Sequence, residues 1–138
     1  MQHKVLTSAP HHRPLLAGRD DQGRGLFVVV LCAAWCHTCT EFRDGIASIA
    51  GAHPDATFVW LDIEDDCAIC GDIEVENFPT VVAFRGDQVL HYGITVPSPA
   101  VTARLVDELA TREGGLADVP DAVRALRNAL LQPAQGEQ

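Results

Sequence analysis

The sequence is poor in basic residues, and it contains no long uninterrupted apolar run. Ten lysines and arginines stand against 19 aspartates and glutamates in 138 residues, which gives a formal net charge of −9. Nucleic acids and anionic membranes both require clustered lysine and arginine, so we expect neither as a partner. No apolar run approaches the ~18 residues of a membrane-spanning helix. Residues 1–21 lack the apolar core of a secretory signal, so the expected location is cytoplasmic.

Cysteine, in contrast, is plentiful for a chain of this kind. There are five: Cys32, and two Cys-x-x-Cys pairs formed by Cys36 with Cys39 and by Cys67 with Cys70. Disulfides in the cytoplasm are usually transient, so five cysteines require a chemical explanation. Because the number is odd, at least one cysteine has no intramolecular disulfide partner.

Apolar runs and helical stripes alternate along the first half of the chain. The runs "LFVVVL" (26–31) and "ATFVWLDI" (56–63) predict strands that are buried on both faces. Between them a helical face is predicted, ended by Gly51 and formed by Cys39, Phe42, Ile46 and Ile49. Strand, helix and strand in this order predict a βαβ unit with parallel strands.

The second half predicts a hairpin followed by two helices. The hairpin strands are "TVVAF" (80–84) and "QVLHY" (88–92), joined across a short turn. A helix is predicted to begin at Pro99 and to turn an apolar stripe of Val101, Leu105 and Leu109 inward. A last helix is predicted over about 120–131.

The first cysteine pair lies where the first strand meets the first helix. The partial positive charge of a helix N-terminus stabilises a thiolate, so Cys36 is expected to be the nucleophile. Cys39 lies on the inward stripe and is expected to be the resolving thiol. His37, when protonated, would stabilise the Cys36 thiolate further. A zinc half-site and an inert buried pair are the alternatives.

These residues resemble the thioredoxin family. The resemblance covers about residues 3–112, and it is carried by Trp35, the dithiol, "NFPT" with Pro79, and Gly93 after the hairpin. It implies an α/β thioredoxin-like fold, with a central mixed β-sheet flanked by α-helices. We expect a thioredoxin-like domain over residues 1–113 and a C-terminal helical extension with a frayed tail over 114–138.

The resemblance also implies a function and a set of supporting residues. We expect a protein-disulfide reductase that works through Cys36 and Cys39 in cell redox homeostasis, as a monomer and without a bound cofactor or metal. Its partners would be disulfide-containing proteins and a reductase or other thiol electron donor. The residues expected to support the dithiol are Trp35, His37, Phe78, Pro79, Thr80 and Gly93. Pro79 would be cis and face the dithiol, and Phe78 would line the substrate groove.

Several positions depart from the family pattern. Val30 stands where thioredoxins usually bury an acid, Trp60 replaces the lysine that faces this acid, and Asp44 replaces a proline of the active-site helix. Nucleophilic attack does not need these groups. Deprotonation of Cys39 is expected to be slower without the acid.

The remaining cysteines and the departures from the family pattern leave further interpretations. Cys32 stands where the family usually has an aromatic residue, and we interpret it as a small buried hydrophobe rather than a third thiol within reach of a dithiol. Cys67 and Cys70 follow four acidic residues, which disfavour a thiolate, so we expect a second dithiol that closes its own disulfide but attacks slowly. The strand predicted at 56–63, which precedes this second pair, should end at the same edge of the sheet as the strand that precedes the first pair. The rival functions are a structural zinc module built from both pairs and a thioredoxin-like binding or chaperone module with weak redox activity.

Overall fold

The computed structural model describes residues 26–33, 37–53, 56–63, 79–85, 88–94, 98–111, 114–116 and 119–131. Four strands and three helices lie in these ranges: β1 (Leu26–Cys32), α1 (His37–Ala52), β2 (Ala56–Asp62), β3 (Thr80–Arg85), β4 (Gln88–Ile94), α2 (Pro99–Thr111) and α3 (Asp121–Leu131). None of the helices in the described ranges is long and apolar enough to cross a membrane.

The four strands form one mixed sheet in the order β2-β1-β3-β4. β1 is parallel to β2 and antiparallel to β3, and β3 is antiparallel to β4. The predicted βαβ unit and hairpin are therefore confirmed. All seven residues of β1 are buried, because this central strand is covered on both faces of the sheet.

The alternation of side chains along the strands divides the interior into two cores. The first core lies between the sheet and helices α1 and α2, and includes Leu26, Val28, Val30, Cys32, Cys39, Phe42, Ile46, Trp60, Val81, Val106 and Leu109. The second core lies on the opposite face, and includes Phe27, Val29, Leu31, Val59, Leu61, Val82, Phe84, Val89, Val123 and Leu126. The last two of these belong to α3, so the predicted C-terminal helix closes the second face of the sheet.

Two local predictions are wrong. Gly51 does not end α1, which continues to Ala52, because a single glycine weakens a helix without stopping it. In the predicted stripe of α2, Leu109 is buried and Leu105 packs against the first core, but Val101 is 44% exposed, and Thr102 and Val106 take the remaining inward positions. Thr102 is polar but buried, so the pattern of apolar residues alone did not identify which side of this helix faces inward.

Two side chains fix α2 against the rest of the molecule. His53, just after α1, donates from Nδ1 to the Ile49 carbonyl oxygen at 2.9 Å and from Nε2 to an Asp107 carboxylate oxygen at 2.6 Å. Burial lowers the pKa of His53, but the Asp107 hydrogen bond, the Ile49 hydrogen bond and the Asp107 charge outweigh it and raise the pKa above 6.5. At the same edge of the sheet, Arg85 donates to the carbonyl oxygens of Leu109 and Ala110, both at 3.0 Å, and so satisfies two carbonyl groups in the C-terminal turn of α2.

Two glycines allow the chain to return to the sheet after α2. Gly114 has a φ of +82°, a conformation that side chains disfavour. A Cβ on Gly115 would lie 3.0 Å from the Gln88 Cβ and 3.1 Å from the Val89 carbonyl oxygen. The Leu116 amide then donates to that same oxygen at 2.7 Å. This contact joins the segment that follows α2 to β4.

Candidate redox site

A disulfide joins the end of β1 to the first turn of α1. Cys32 is the last residue of β1, Cys39 is the third residue of α1, and the two are bonded with a Cα–Cα distance of 6.0 Å. This distance is within the ordinary disulfide range of about 4.4–6.8 Å. Each cysteine is 1% exposed, and both belong to the first core. The bond therefore crosses a strand-to-helix junction whose two sides already pack together.

The interpretation of Cys32 as a small buried hydrophobe is corrected by this bond. Cys32 is buried as expected, but its sulfur is covalently joined to Cys39. The alternative, a third thiol within reach of the dithiol, agrees with the structure. The physical reason is that the strand ends directly beneath the helix, so residues seven apart in sequence meet.

The predicted nucleophile lies outside the described residues, as does Trp35. The roles of Cys36 and Trp35 therefore stay predictions. Helix α1 begins at His37, immediately after Cys36, and His37 is exposed while Cys39 is buried. The predicted inward position of Cys39 is confirmed.

The core beneath Cys39 is apolar where thioredoxins usually place an acid. Val30 lies opposite Trp60 in β2 and opposite Val81 in β3, and all three are buried in the same core as Cys39. The buried polar residues in the described part of the chain are Thr57, Thr80 and Thr102. None of these carries a carboxylate that could accept the proton of Cys39.

Trp60 is held in place by a cation from α1. The guanidinium carbon of Arg43 lies 5.2 Å from the centroid of a Trp60 ring, while Trp60 itself is only 8% exposed. A cation–π contact at a solvent-facing site contributes about 0.5–1 kcal/mol. Asp44, the next residue of α1, is exposed, so the helix face towards solvent carries both charges.

The carboxyl ends of β1 and β2 lie at one edge of the sheet, as predicted. Cys32 lies opposite Asp62, and the Cys32 carbonyl oxygen accepts a hydrogen bond from the Ile63 amide at 2.9 Å. The chain leaves β2 towards Cys67 and Cys70 from this point. Both of those cysteines lie outside the described residues, so the second dithiol stays a prediction.

The residues after the predicted cis peptide reach the same edge. Pro79 is buried directly before β3, and Thr80, 3% exposed, lies opposite Leu31 of β1 and Ile94 of β4. Gly93 lies opposite Val81, one step further along the hairpin. Thr80 therefore starts β3 beside Leu31, the residue that precedes Cys32, and Pro79 lies directly before it in the chain. Phe78 lies outside the described residues, and the cis isomer of Pro79 stays a prediction.

The disulfide bears on the zinc alternative. A structural zinc site built from both cysteine pairs requires Cys39 as a thiolate ligand. In this oxidation state the Cys39 sulfur is bonded to Cys32 instead. Within the described ranges, no group of three or more histidines, cysteines or acidic residues is arranged to hold a metal ion.

A mixed four-stranded sheet covered by helices defines an α/β protein, and this arrangement matches solved thioredoxin-like folds. The thioredoxin family model matches residues 16–107, which is more than half of the chain. The chain belongs to the thioredoxin family. Membership supports thiol–disulfide oxidoreductase activity in general.

Individual relatives are distant. A thioredoxin H-type from Ricinus communis is 23% identical over 93 residues, which cover 67% of this chain and 79% of the relative. The crystal structure of thioredoxin NaTrxh from Nicotiana alata has a TM-score of 0.64 at 16% identity, with 78% of this chain and 94% of that chain covered. Thioredoxin f2, in complex with ferredoxin:thioredoxin reductase, has a TM-score of 0.60 at 14% identity over 78% of this chain and 94% of that chain.

Proposed function

We propose that the chain is a protein-disulfide reductase whose nucleophile is Cys36 and whose resolving thiol is Cys39. The observation that carries this proposal is the position of Cys39. It is buried in the first turn of α1, and its sulfur is already in a disulfide with a neighbouring cysteine. Cys36 stands immediately before the helix, where the unpaired backbone N–H groups favour a thiolate.

The reaction transfers two electrons from the dithiol to the substrate. The Cys36 thiolate attacks one sulfur of a substrate disulfide, the substrate bond breaks, and the other substrate sulfur leaves as a thiolate and takes a proton. The Cys39 thiolate then attacks the Cys36 sulfur and releases the second substrate thiol. The products are a reduced substrate and a Cys36–Cys39 disulfide, so no organic cofactor is needed.

The apolar core around Cys39 affects the second of these steps, in which Cys39 attacks the mixed disulfide. Cys39 must lose its proton before it attacks, and Val30 and Trp60 offer no acceptor in the core around it. We therefore propose that resolution of the mixed disulfide, rather than the first attack, limits turnover at neutral pH. Pro79, Thr80 and Gly93 would form the opposite wall of the substrate groove.

The cycle closes when a donor reduces the dithiol again. Thioredoxin f2 has been solved with a reductase, and a donor of the same general kind, or a small thiol, would serve here. The substrates are proteins with accessible disulfides. We propose a monomer acting in a reducing compartment, the cytoplasm, where such a donor is maintained.

The test is insulin reduction, followed by turbidity with dithiothreitol as the donor. Cys36→Ser is expected to abolish turnover, and Cys39→Ser is expected to accumulate mixed disulfides with insulin chains that survive an acid quench and gel electrophoresis without reductant. Cys67→Ser is the matched control and should keep most of the activity.

Three results would contradict this function. The first is equal alkylation rates for Cys36 and Cys39 in the reduced protein at neutral pH, which would remove the assignment of roles. The second is one tightly held zinc per chain that is lost in both the Cys36 and the Cys67 variants, which would favour the four-cysteine module. A correctly folded wild-type protein that binds unfolded insulin chains but never reduces them would favour the chaperone alternative.

A further inference from the structure

We propose that Cys32 is a third redox residue of this site, which exchanges with Cys36 for the sulfur of Cys39. The proposal rests on the proposed function, and it adds a second disulfide state to the catalytic cycle. In this state Cys32 and Cys39 are bonded, as in the structure, and the proposal assigns a free thiol to Cys36.

The fold holds Cys32 and Cys39 at bonding distance. Cys32 ends the central strand, where it is fixed by ladder pairing to Asp62 of β2, and its carbonyl oxygen accepts the Ile63 amide. Cys39 is fixed by α1, whose inward face packs on the same core. With the Cα atoms 6.0 Å apart, the bond needs no rearrangement of the two elements that carry it.

One sulfur takes part in one disulfide, so the two possible partners of Cys39 compete. Cys36 is three residues before Cys39 in sequence, and Cys32 is seven residues before it. An oxidised molecule with a Cys32–Cys39 bond has lost its resolving thiol but keeps its nucleophile. A molecule with a Cys36–Cys39 bond has neither.

The exchange between these states is balanced without an outside reactant. The Cys32 thiolate attacks the Cys39 sulfur of the Cys36–Cys39 disulfide, the Cys36–Cys39 bond breaks, and a Cys32–Cys39 bond forms. Cys36 leaves as a thiolate, and the proton lost by Cys32 ends on Cys36 when the pH favours the thiol. One disulfide is consumed and one is formed, so no net oxidation or reduction occurs.

Burial determines how the second state can be opened. Both cysteines are 1% exposed, so a protein or a small thiol in solution has little access to either sulfur. Attack by Cys36 from within the chain is the favoured route back, because an intramolecular thiol acts at a high effective concentration.

The two states would behave differently towards a substrate. In the reduced protein, Cys39 resolves the mixed disulfide that Cys36 forms, and the substrate is released. In the Cys32–Cys39 state, Cys36 still attacks a substrate disulfide, but Cys39 is not available to resolve the product. The protein then retains its substrate covalently until an outside thiol releases it, so oxidation converts a reductase into a covalent trap for disulfide-containing proteins.

Disulfide mapping tests the exchange directly. The reduced protein is equilibrated in a glutathione redox buffer, quenched with acid, and blocked at its free thiols with N-ethylmaleimide. Trypsin then releases residues 25–43, which hold all three cysteines, and chymotryptic cleavage after Trp35 separates Cys32 from Cys36 and Cys39. A Cys32–Cys39 bond leaves two linked peptides with the label on Cys36, whereas a Cys36–Cys39 bond leaves the label on Cys32.

We expect both patterns in the wild-type protein, in the same ratio whether equilibrium is approached from the reduced or the oxidised side. Cys32→Ala should show only Cys36–Cys39. Cys36→Ser should show only Cys32–Cys39, and dithiothreitol should open this bond at least about tenfold more slowly than in the wild type. Val28→Ala, buried on the same face of β1 without a thiol, is the control for the loss of packing and should keep both patterns.

Two results overturn the proposal. One is a wild-type protein that reduces insulin and shows only the Cys36–Cys39 bond at every redox ratio. The other is a Cys32–Cys39 bond that forms but is opened at the same rate with and without the Cys36 thiol, which would make it a static crosslink. Insulin reduction measured on the same samples separates these failures from failure of the proposed function, since an inactive wild type contradicts the reductase assignment whatever the map shows.

Discussion

Placing an acid in the apolar core around Cys39 tests whether the lack of a proton acceptor there limits catalysis. Val30→Asp puts a carboxyl at a position that is 0% exposed and flanked in the sheet by Trp60 and Val81. Loss of the buried valine side chain removes about 2 kcal/mol of favourable burial, and an unpaired carboxyl in its neutral form costs about 1–3 kcal/mol more. We therefore expect the free energy of unfolding to fall by about 3–5 kcal/mol.

The scale of the kinetic gain follows from thiol chemistry. An unperturbed thiol is about 3% thiolate at pH 7, so a base that deprotonates it completely accelerates attack by about 30-fold. Burial raises the pKa of the introduced carboxyl, which then accepts a proton only above neutrality. The increase should therefore appear above about pH 7 and become smaller at high pH, where the thiol ionises unaided.

The assay is a stopped-flow measurement of how fast a preformed mixed disulfide on Cys36 is resolved, with urea unfolding of the same samples. Val30→Asn is the matched control, because it loses the same apolar burial but cannot accept a proton. Val30→Asp should resolve faster than Val30→Asn, while both are destabilised to a similar extent. Equal resolution rates for the two folded variants across this pH range would refute the argument from the missing acid.

Further predictions concern the ion pair, the buried hydroxyl, the last helix and the second cysteine pair. Because the pKa of His53 is raised, its pair with Asp107 stabilises the fold fully below about pH 6.5, and this contribution is lost as the pH rises through the higher folded-state value. Asp107→Asn should therefore cost about 0.5–1 kcal/mol in urea unfolding at acid pH and nothing measurable well above neutrality; the opposite order would contradict it. The Thr102 hydroxyl is buried without a hydrogen-bond partner among the described residues, so Thr102→Val should add about 1 kcal/mol, and a lower melting temperature would count against this. Leu126→Ala should cost about 2–4 kcal/mol, compared with about 0.5 kcal/mol or less for Ala125→Gln on the exposed side of α3. Peptide mapping of the oxidised protein should show a Cys67–Cys70 disulfide; if both thiols remain reduced under an oxidant that closes a bond to Cys39, they serve packing only.

Much of the sheet could be predicted from the sequence because its strands are buried on both faces. The run that became β1 is apolar at every position, and only a central strand covered by helices on both faces requires this. The inward position of Cys39 was equally readable, since it shares a helical stripe with Phe42, Ile46 and Ile49. The parallel pairing of β1 and β2 followed from the helix between them.

The partner of Cys39 could not be chosen in the same way. Sequence spacing favours Cys36, because residues three apart lie on one helix face. The approach of Cys32 depends on how closely the end of β1 passes under α1, which is a property of the packed fold and not of any local pattern. The odd number of cysteines was the one available signal that some thiol had more than one candidate partner.

The contribution of α3 to the second core determines how much of the chain belongs to the folding unit. The family model ends at residue 107, yet Val123 and Leu126 cover the sheet face formed by residues such as Leu31, Val59 and Val82. The region that matches the family therefore ends before the hydrophobic core does. The part of the chain that folds as one unit extends to α3. A fragment that ends at residue 107 would expose the apolar sheet face that α3 covers, and we expect such a fragment to self-associate through this face.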